Sequence, residues 1–241
     1  GCVEQTMSRF MPAVVAAQAL REAGLTLARR KHLPAVVQKG LDRLADFQHE
    51  DGGWGWWKHD ATHDFMTAYV LQGLALCRQS GQAVPAHMLQ RAERYLSERV
   101  LGGGLRMRAL KYGGHDALGR LGRVDLTIYA CHALALCYAS DLEQYAAQVK
   151  RIRAALPDTT PQSEPLSARD ALLRANALRL LGKPGPAGAA LDRLIDRFHA
   201  IDDKRTSVLA AAPLLALGTA LEPERPDWPR IGRAIVQART S

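Results

Sequence analysis

The chain opens Gly1-Cys2-Val3-Glu4-Gln5-Thr6-Met7, which sets a thiol, a carboxylate and a side-chain amide side by side. A thiol is the side chain best suited to nucleophilic and acyl-transfer chemistry near neutral pH. As a bare string Cys-x-x-Gln is common, so its weight rests on its setting. It stands immediately before an Ala- and Val-rich segment that Pro12 could open as the first turn of a helix. Cys77, Cys131 and Cys137 lie instead in apolar stretches, where a small buried thiol is ordinary packing. No Cys or His pair has C-x-x-C or H-x-x-x-H spacing in a supporting context, so neither a metal nor any other cofactor is expected. The remaining groups able to do chemistry are His59, His63 and Asp64 ahead of an apolar helix, the carboxylates Glu50, Asp51 and Asp60, and His115 followed by Asp116 in the stretch 112–123.

The elements that must position these groups announce themselves by an internal match. Met66-Thr67-Ala68-Tyr69-Val70-Leu71-Gln72-Gly73-Leu74-Ala75-Leu76-Cys77 aligns with Leu126-Thr127-Ile128-Tyr129-Ala130-Cys131-His132-Ala133-Leu134-Ala135-Leu136-Cys137 at Thr, Tyr, Leu, Ala, Leu and Cys, sixty residues apart. Ala and Leu with small residues at helical intervals predict helices packed on nearly all sides. Segments 12–23, 167–181 and 206–221 are of the same type, and segments 33–48, 86–100, 142–156, 187–198 and 227–238 carry a clearer polar face. Gly and Pro clusters separate them, and almost nothing alternates with a period of two. The expected class is therefore all-α. Alternation of enclosed and one-sided helices fits an α/α toroid of about five helix pairs, incomplete by its last pair unless 105–122 supplies a distorted one; an open solenoid of helix pairs is the alternative. A Trp-rich turn, Gln48-His49-Glu50-Asp51-Gly52-Gly53-Trp54-Gly55-Trp56-Trp57, closes one outer helix. There Asp51 can bond the turn amides, and the indoles can cover the junction while their N–H groups find partners.

Composition narrows the function classes. With 241 residues, 47% hydrophobic and 23% charged, the chain is an ordinary globular one, large enough to bury a core without staples. It reads as a single domain, 1–241, excised from a larger chain. Lys and Arg exceed Asp and Glu by 32 to 24, yet the densest basic run is Arg29-Arg30-Lys31-His32 and the rest is dispersed, which argues against nucleic acid as a partner. The longest apolar stretch, 207–221, is interrupted by Pro213 and Gly218 and falls short of the roughly 20 residues of a spanning helix, so no direct membrane insertion is expected.

Gly-Cys-x-Glu-Gln ahead of an apolar helix, in an all-helical chain with a Gln-x-x-Asp-Gly-Gly-Trp turn and Met66-Thr67-Ala68-Tyr69-Val70 at the head of the next inner helix, resembles the thioester domain of the α2-macroglobulin and complement family. The resemblance spans most of residues 1–140, and Val3 with Thr6-Met7-Ser8 looks more like the bacterial members. It implies an internal thioester between Cys2 and Gln5, formed when the Cys2 sulfur displaces ammonia from the Gln5 amide. The residue types are required: a Ser at position 2 would give an inert ester, and a Glu at position 5 would lack the amide precursor. It further implies a protease inhibitor that traps its attacker covalently through an amine such as a lysine, once per molecule rather than by turnover. Partners would be attacking proteases and neighbouring domains of the parent chain, in the periplasm or outside the cell. Without those domains this piece would carry a hydrolysed or unformed thioester. In complement relatives a downstream His assists the transfer, and His115 is the nearest counterpart here; His59, His63 and Asp64 could also face the thioester. The bland reading of His115 is a solvated loop residue, and that of Cys2 a free thiol.

Two rival classes share the architecture. A terpene cyclase needs an Asp-x-Asp-Asp cluster, which this sequence lacks. A glycosidase needs two carboxylates about 5–9.5 Å apart, for which Glu50, Asp51, Asp60 and Asp64 are the available group. A non-covalent helical-repeat binding module is the third possibility.

Overall fold

The computed structural model describes residues 1–22, 33–105, 126–157 and 168–183. Among them every regular element is a helix, as the Ala/Leu patterning requires. The chain divides into two compact units, Gly1–Gly113 and Gly114–Ser241.

The first unit contains α1 (Val3–Glu22), α2 (Leu33–Phe47), α3 (Asp64–Gln79) and α4 (Ala86–Leu101). Helix α1 packs on both α2 and α3, and α3 packs on α4. In α3 the enclosed pattern is realised: Met66, Ala68, Val70, Leu71, Leu74, Ala75 and Cys77 are all fully buried. Each such Leu or Met contributes roughly 1.5–3 kcal/mol by leaving water. By contrast α4 buries one stripe, Met88, Leu89, Ala92, Leu96 and Val100, and turns its charges outward, the mark of an outer helix. Val37, Leu41 and Leu44 form the corresponding stripe of α2. Met7, Phe10, Met11 and Val14 of α1, the helix packed on α2, are buried in the same unit.

Helix α1 begins nine residues before the Pro12 start expected from sequence, and Pro12 lies inside it. A proline within a helix forfeits the bond from its own nitrogen to the carbonyl four residues back and costs about 3 kcal/mol. Burial of Phe10, Met11 and Val14 on either side offsets that loss, while the true start is set by a cap at Cys2.

The second unit contains α5 (Leu126–Tyr138), α6 (Ala146–Ala155) and α7 (Ala168–Leu180), with α5 packed on α6 and α7. Every residue of α5 except Thr127 is buried. Helix α6 starts later than the expected 142, because the Asp141 carboxylate accepts the Gln144 N–H and holds 142–145 in turns. The helices expected over 187–198, 206–221 and 227–238, and residues 106–122 of the distorted pair, lie outside the described residues.

The turn between α2 and α3 forms as its residues predict. The Asp51 side chain accepts the Gly53 N–H at 3.0 Å, and the His49 N–H donates to the Gly53 carbonyl at 2.9 Å. Gly52 has φ +93°, and a Cβ there would meet the Arg91 carbonyl oxygen at 2.5 Å, so only glycine fits. Gln48 ties the turn to α4 by donating to the Met88 carbonyl at 2.9 Å. The three indoles separate: Trp54 is fully buried and donates to the Leu44 carbonyl at 2.8 Å. Trp56 buries its Nε1 without a hydrogen-bond partner among the described residues, and Trp57 is 57% exposed.

Candidate functional site

Cys2 occupies the N-cap of α1, and the four amides of a first helical turn need acceptors from outside the helix. One comes from the Cys2 side chain: the Gln5 N–H donates to Cys2 Sγ at 3.4 Å. In return the Cys2 N–H donates to Gln5 Oε1 at 3.2 Å. This reciprocal pair has the form of a capping box, in which an N-cap Ser or Thr and a Glu or Gln three residues on satisfy one another's amides. Here the cap atom is sulfur, and the two side chains that an acyl linkage would join are held across the same turn.

Four further contacts fix that turn. The Val3 N–H donates to the Trp56 carbonyl at 2.9 Å, and Arg43 donates to the Gly1 carbonyl at 2.6 Å, so α2 and the Trp-rich turn both hold the chain start. The Thr6 hydroxyl and N–H both donate to the Cys2 carbonyl, at 3.0 and 3.1 Å. Val3 is buried, whereas Gln5 is exposed and Cys2 is only 8% exposed. A Cβ on Gly1 would stand 2.7 Å from Gln5 Oε1, so the absence of a side chain at position 1 is what lets the Gln5 amide lie back against the cap.

Around the sulfur the polar groups form a line. Cys2 Sγ lies 4.0 Å from Glu4 Oε2, and Glu4 Oε1 accepts the Ser8 hydroxyl at 2.8 Å. Ser8 is hydrogen-bonded to the Tyr69 phenol, whose pKa is raised chiefly by burial, opposed next by the Ser8 bond, with the Glu4 charge adding a smaller upward push.

Other residues singled out in the sequence take different places. Asp64 is 3% exposed and accepts from Tyr95 Oη at 2.7 Å and from Arg99 Nε and Nη2 at 3.1 and 2.9 Å, which clamps the start of α3 to α4. Burial and the Asp64 carboxylate both push the Tyr95 phenol upward. His63 is the buried N-cap of α3 and meets the Trp56 ring edge-on at 6.3 Å, while His59 is exposed. Asp60 accepts the Trp56 N–H at 2.8 Å. Asp51, Asp60 and Asp64 are thus engaged in holding the turn and the helix start, and Glu50 is exposed. Cys77, Cys131 and Cys137 are buried thiols, and burial drives Cys77 up to about 12. His115 lies outside the described residues. Sequence reasoning missed the Trp56 carbonyl, Arg43 and Tyr69, each brought to the chain start from another element. It also missed the capping box, whose signal was present in the spacing of Cys2 and Gln5.

The family model for the A-macroglobulin TED domain matches residues 1–195. An alpha-2-macroglobulin of Thermotoga maritima is 48% identical over 96 residues, a stretch that covers 40% of this chain and 6% of that protein. Among solved structures, a Salmonella alpha-2-macroglobulin reacted with methylamine superimposes with a TM-score of 0.60 at 21% identity, over 100% of this chain and 15% of the other. An Escherichia coli alpha-2-macroglobulin activated by porcine elastase gives a TM-score of 0.62 at 20% identity, over 100% of this chain and 21% of the other. The chain therefore spans a small fraction of the length of each of these relatives.

Proposed function

The chain belongs to the A-macroglobulin TED domain family, and from that premise we propose that it is the thioester domain, 1–241, of a bacterial alpha-2-macroglobulin-type protease trap. The Cys2 sulfur attacks Gln5 Cδ, ammonia leaves, and an internal thioester closes a ring through the backbone of residues 2–5. A lysine amine of an attacking protease later displaces the sulfur. The protease is then joined to Gln5 by an amide bond while Cys2 returns to a thiol, so each molecule acts once. The observation that carries this reading is the reciprocal cap, in which the Gln5 backbone N–H donates to Cys2 Sγ and the Cys2 N–H donates to Gln5 Oε1, so that both side chains are engaged within one turn. Further support comes from the family match, which runs across both compact units, and from the methylamine-reacted and elastase-activated states of the structural neighbours. Attacking proteases and neighbouring domains of the parent chain are the partners, and the periplasm or the cell exterior is the compartment where such a trap meets foreign proteases. His115 is the candidate for assisting transfer to hydroxyl acceptors; if it acts so, His115→Ala lowers the share of glycerol ester relative to methylamide.

The test is the intact mass of the full-length protein. The Cys2–Gln5 peptide should be lighter by one ammonia, about 17 Da; methylamine should abolish that loss, convert Gln5 to a methylamide and release one titratable thiol. Free alkylation of Cys2 in the untreated full-length protein would overturn the reading. An α/α-toroid glycosidase is disfavoured by the engagement of Asp51, Asp60 and Asp64 in structural bonds.

A further inference from the structure

We propose that Glu4 is a catalytic residue of the thioester chemistry, the carboxylate that carries protons between Cys2 Sγ and the nitrogen that leaves or enters at Gln5 Cδ. The proposal rests on the thioester reading above and assigns the proton route that this reading leaves open. Forming the thioester requires the sulfur to lose a proton and the departing amide nitrogen to gain one. Opening it with an amine requires the reverse. Both events take place at the first turn of α1, and Glu4 Oε2 is the carboxylate oxygen in contact with Sγ, at 4.0 Å. The neighbouring Gln5 N–H already donates to the sulfur, so the thiol's own proton has the Glu4 carboxylate as its acceptor. The second oxygen, Oε1, is anchored one turn along by the Ser8 hydroxyl at 2.8 Å, itself hydrogen-bonded to Tyr69 of α3. One oxygen is thus held and the other faces the reacting atom, the arrangement a positioned general base needs.

The step balances without a co-reactant. Glu4 takes the proton from Sγ and the thiolate attacks Gln5 Cδ. As the C–N bond breaks, Glu4 returns the proton to the nitrogen, so thiol plus amide become thioester plus ammonia. In the trapping direction an incoming amine attacks Cδ and the C–S bond breaks. The proton released by the nitrogen passes through Glu4 to the sulfur, so amine plus thioester become amide plus thiol.

Glu4→Gln in the full-length protein tests this. The substitution keeps the shape of the side chain and an oxygen acceptor for Ser8 but removes the base. A purely positional role survives it, whereas a proton carrier does not. Two quantities are read by mass and thiol titration: the rate at which the ammonia loss appears after synthesis, and the rate of the methylamine reaction at one fixed pH. We expect Glu4→Gln to slow thioester formation by about 10²-fold and to slow the methylamine reaction as well. Glu4→Asp should recover part of both rates, and Ser8→Ala should slow both reactions by a few-fold. Wild-type rates of both reactions in a Glu4→Gln protein that carries the thioester would overturn the role of Glu4. Absence of the ammonia loss in the wild-type protein would instead overturn the thioester reading itself.

Discussion

Gly1→Ala is the sharpest probe of the cap geometry, because it adds a methyl group and nothing else. The added Cβ would lie 2.7 Å from Gln5 Oε1 and 3.8 Å from Gln5 Cδ. The first separation is shorter than carbon and oxygen atoms tolerate, so the Gln5 amide must swing away from the cap. The bond it makes with the Cys2 N–H is already long at 3.2 Å, and a shift of a few tenths of an ångström ends it. One net hydrogen bond of about 1 kcal/mol then no longer favours the aligned rotamer, which lowers its population about fivefold. Thioester formation in the full-length protein should slow by the same factor, followed as the time course of ammonia loss and of methylamine-releasable thiol. Gly103→Ala is the control. Gly103 has φ +62° with open space around it at the end of α4, so its substitution strains the backbone by about 1 kcal/mol and should leave the time course alone. A wild-type time course in Gly1→Ala, or equal slowing in both variants, would refute the reasoning.

Three more outcomes follow from the same contacts. At the α3–α4 clamp, Arg99→Met leaves the Asp64 carboxylate, 3% exposed, without its compensating positive charge and should cost about 3 kcal/mol in urea unfolding. Asp64→Asn leaves Arg99, 36% exposed, free to rehydrate and should cost about 1 kcal/mol; the reverse order would remove Asp64 as the buried member of the pair. His132, whose Nε2 is paired with the Asn176 amide at 3.0 Å, is pushed down to about 4, chiefly by burial and secondarily by Arg179. Above about pH 6.5 the ring is neutral folded and unfolded alike; as pH falls from there to about 4 only the unfolded chain takes up the proton, so stability should drop by about 3 kcal/mol and then level off. His132→Asn should remove that slope, and a slope retained in the variant would assign it to other groups. Finally, Cys77, Cys131 and Cys137 should resist iodoacetamide until denaturant is added, while the thiol of Cys2 labels after methylamine treatment; labelling of Cys77 in the folded protein would contradict its burial.

The enclosed helices were legible because their composition carries the whole message: a segment such as 126–138, apolar on every face, has no other stable place. The Trp-rich turn was legible for the same local reason, since Asp51 and Gly52 act within a few residues of themselves. Pro12 misled, because its preference for a first turn is a weak local term that the burial of Phe10, Met11 and Val14 overrides. Asp64 and His63 were read as groups that could face the thioester. The Asp64 carboxylate is instead claimed by Arg99, 35 residues away, and no local pattern reports that partner. Trp56 shows the limit most plainly: its indole drew notice in the sequence, yet it is its backbone carbonyl that receives the Val3 N–H.

The five residues Gly1 to Gln5 can now be read as one device. A helix start with Ser and Glu at these positions would be an ordinary cap, worth about 1 kcal/mol to stability and chemically silent. Cysteine in the cap position accepts the Gln5 backbone N–H more weakly than a hydroxyl would, because sulfur is a weak acceptor, and glutamine returns the favour without a charge to strengthen it. The cap is therefore poorer than the one the same backbone would support, and the shortfall is met from outside the helix by the Trp56 carbonyl and Arg43, and from within its first turn by the Thr6 hydroxyl. Such external support allows the two cap side chains to be chosen for reactivity rather than for capping. Val3 is the buried pin between them, Gly1 leaves the amide room, and Glu4 faces the sulfur from the same turn. A stability optimum at this turn and a reactive pair at this turn are different sequences, and on the proposed thioester reading this chain carries the second.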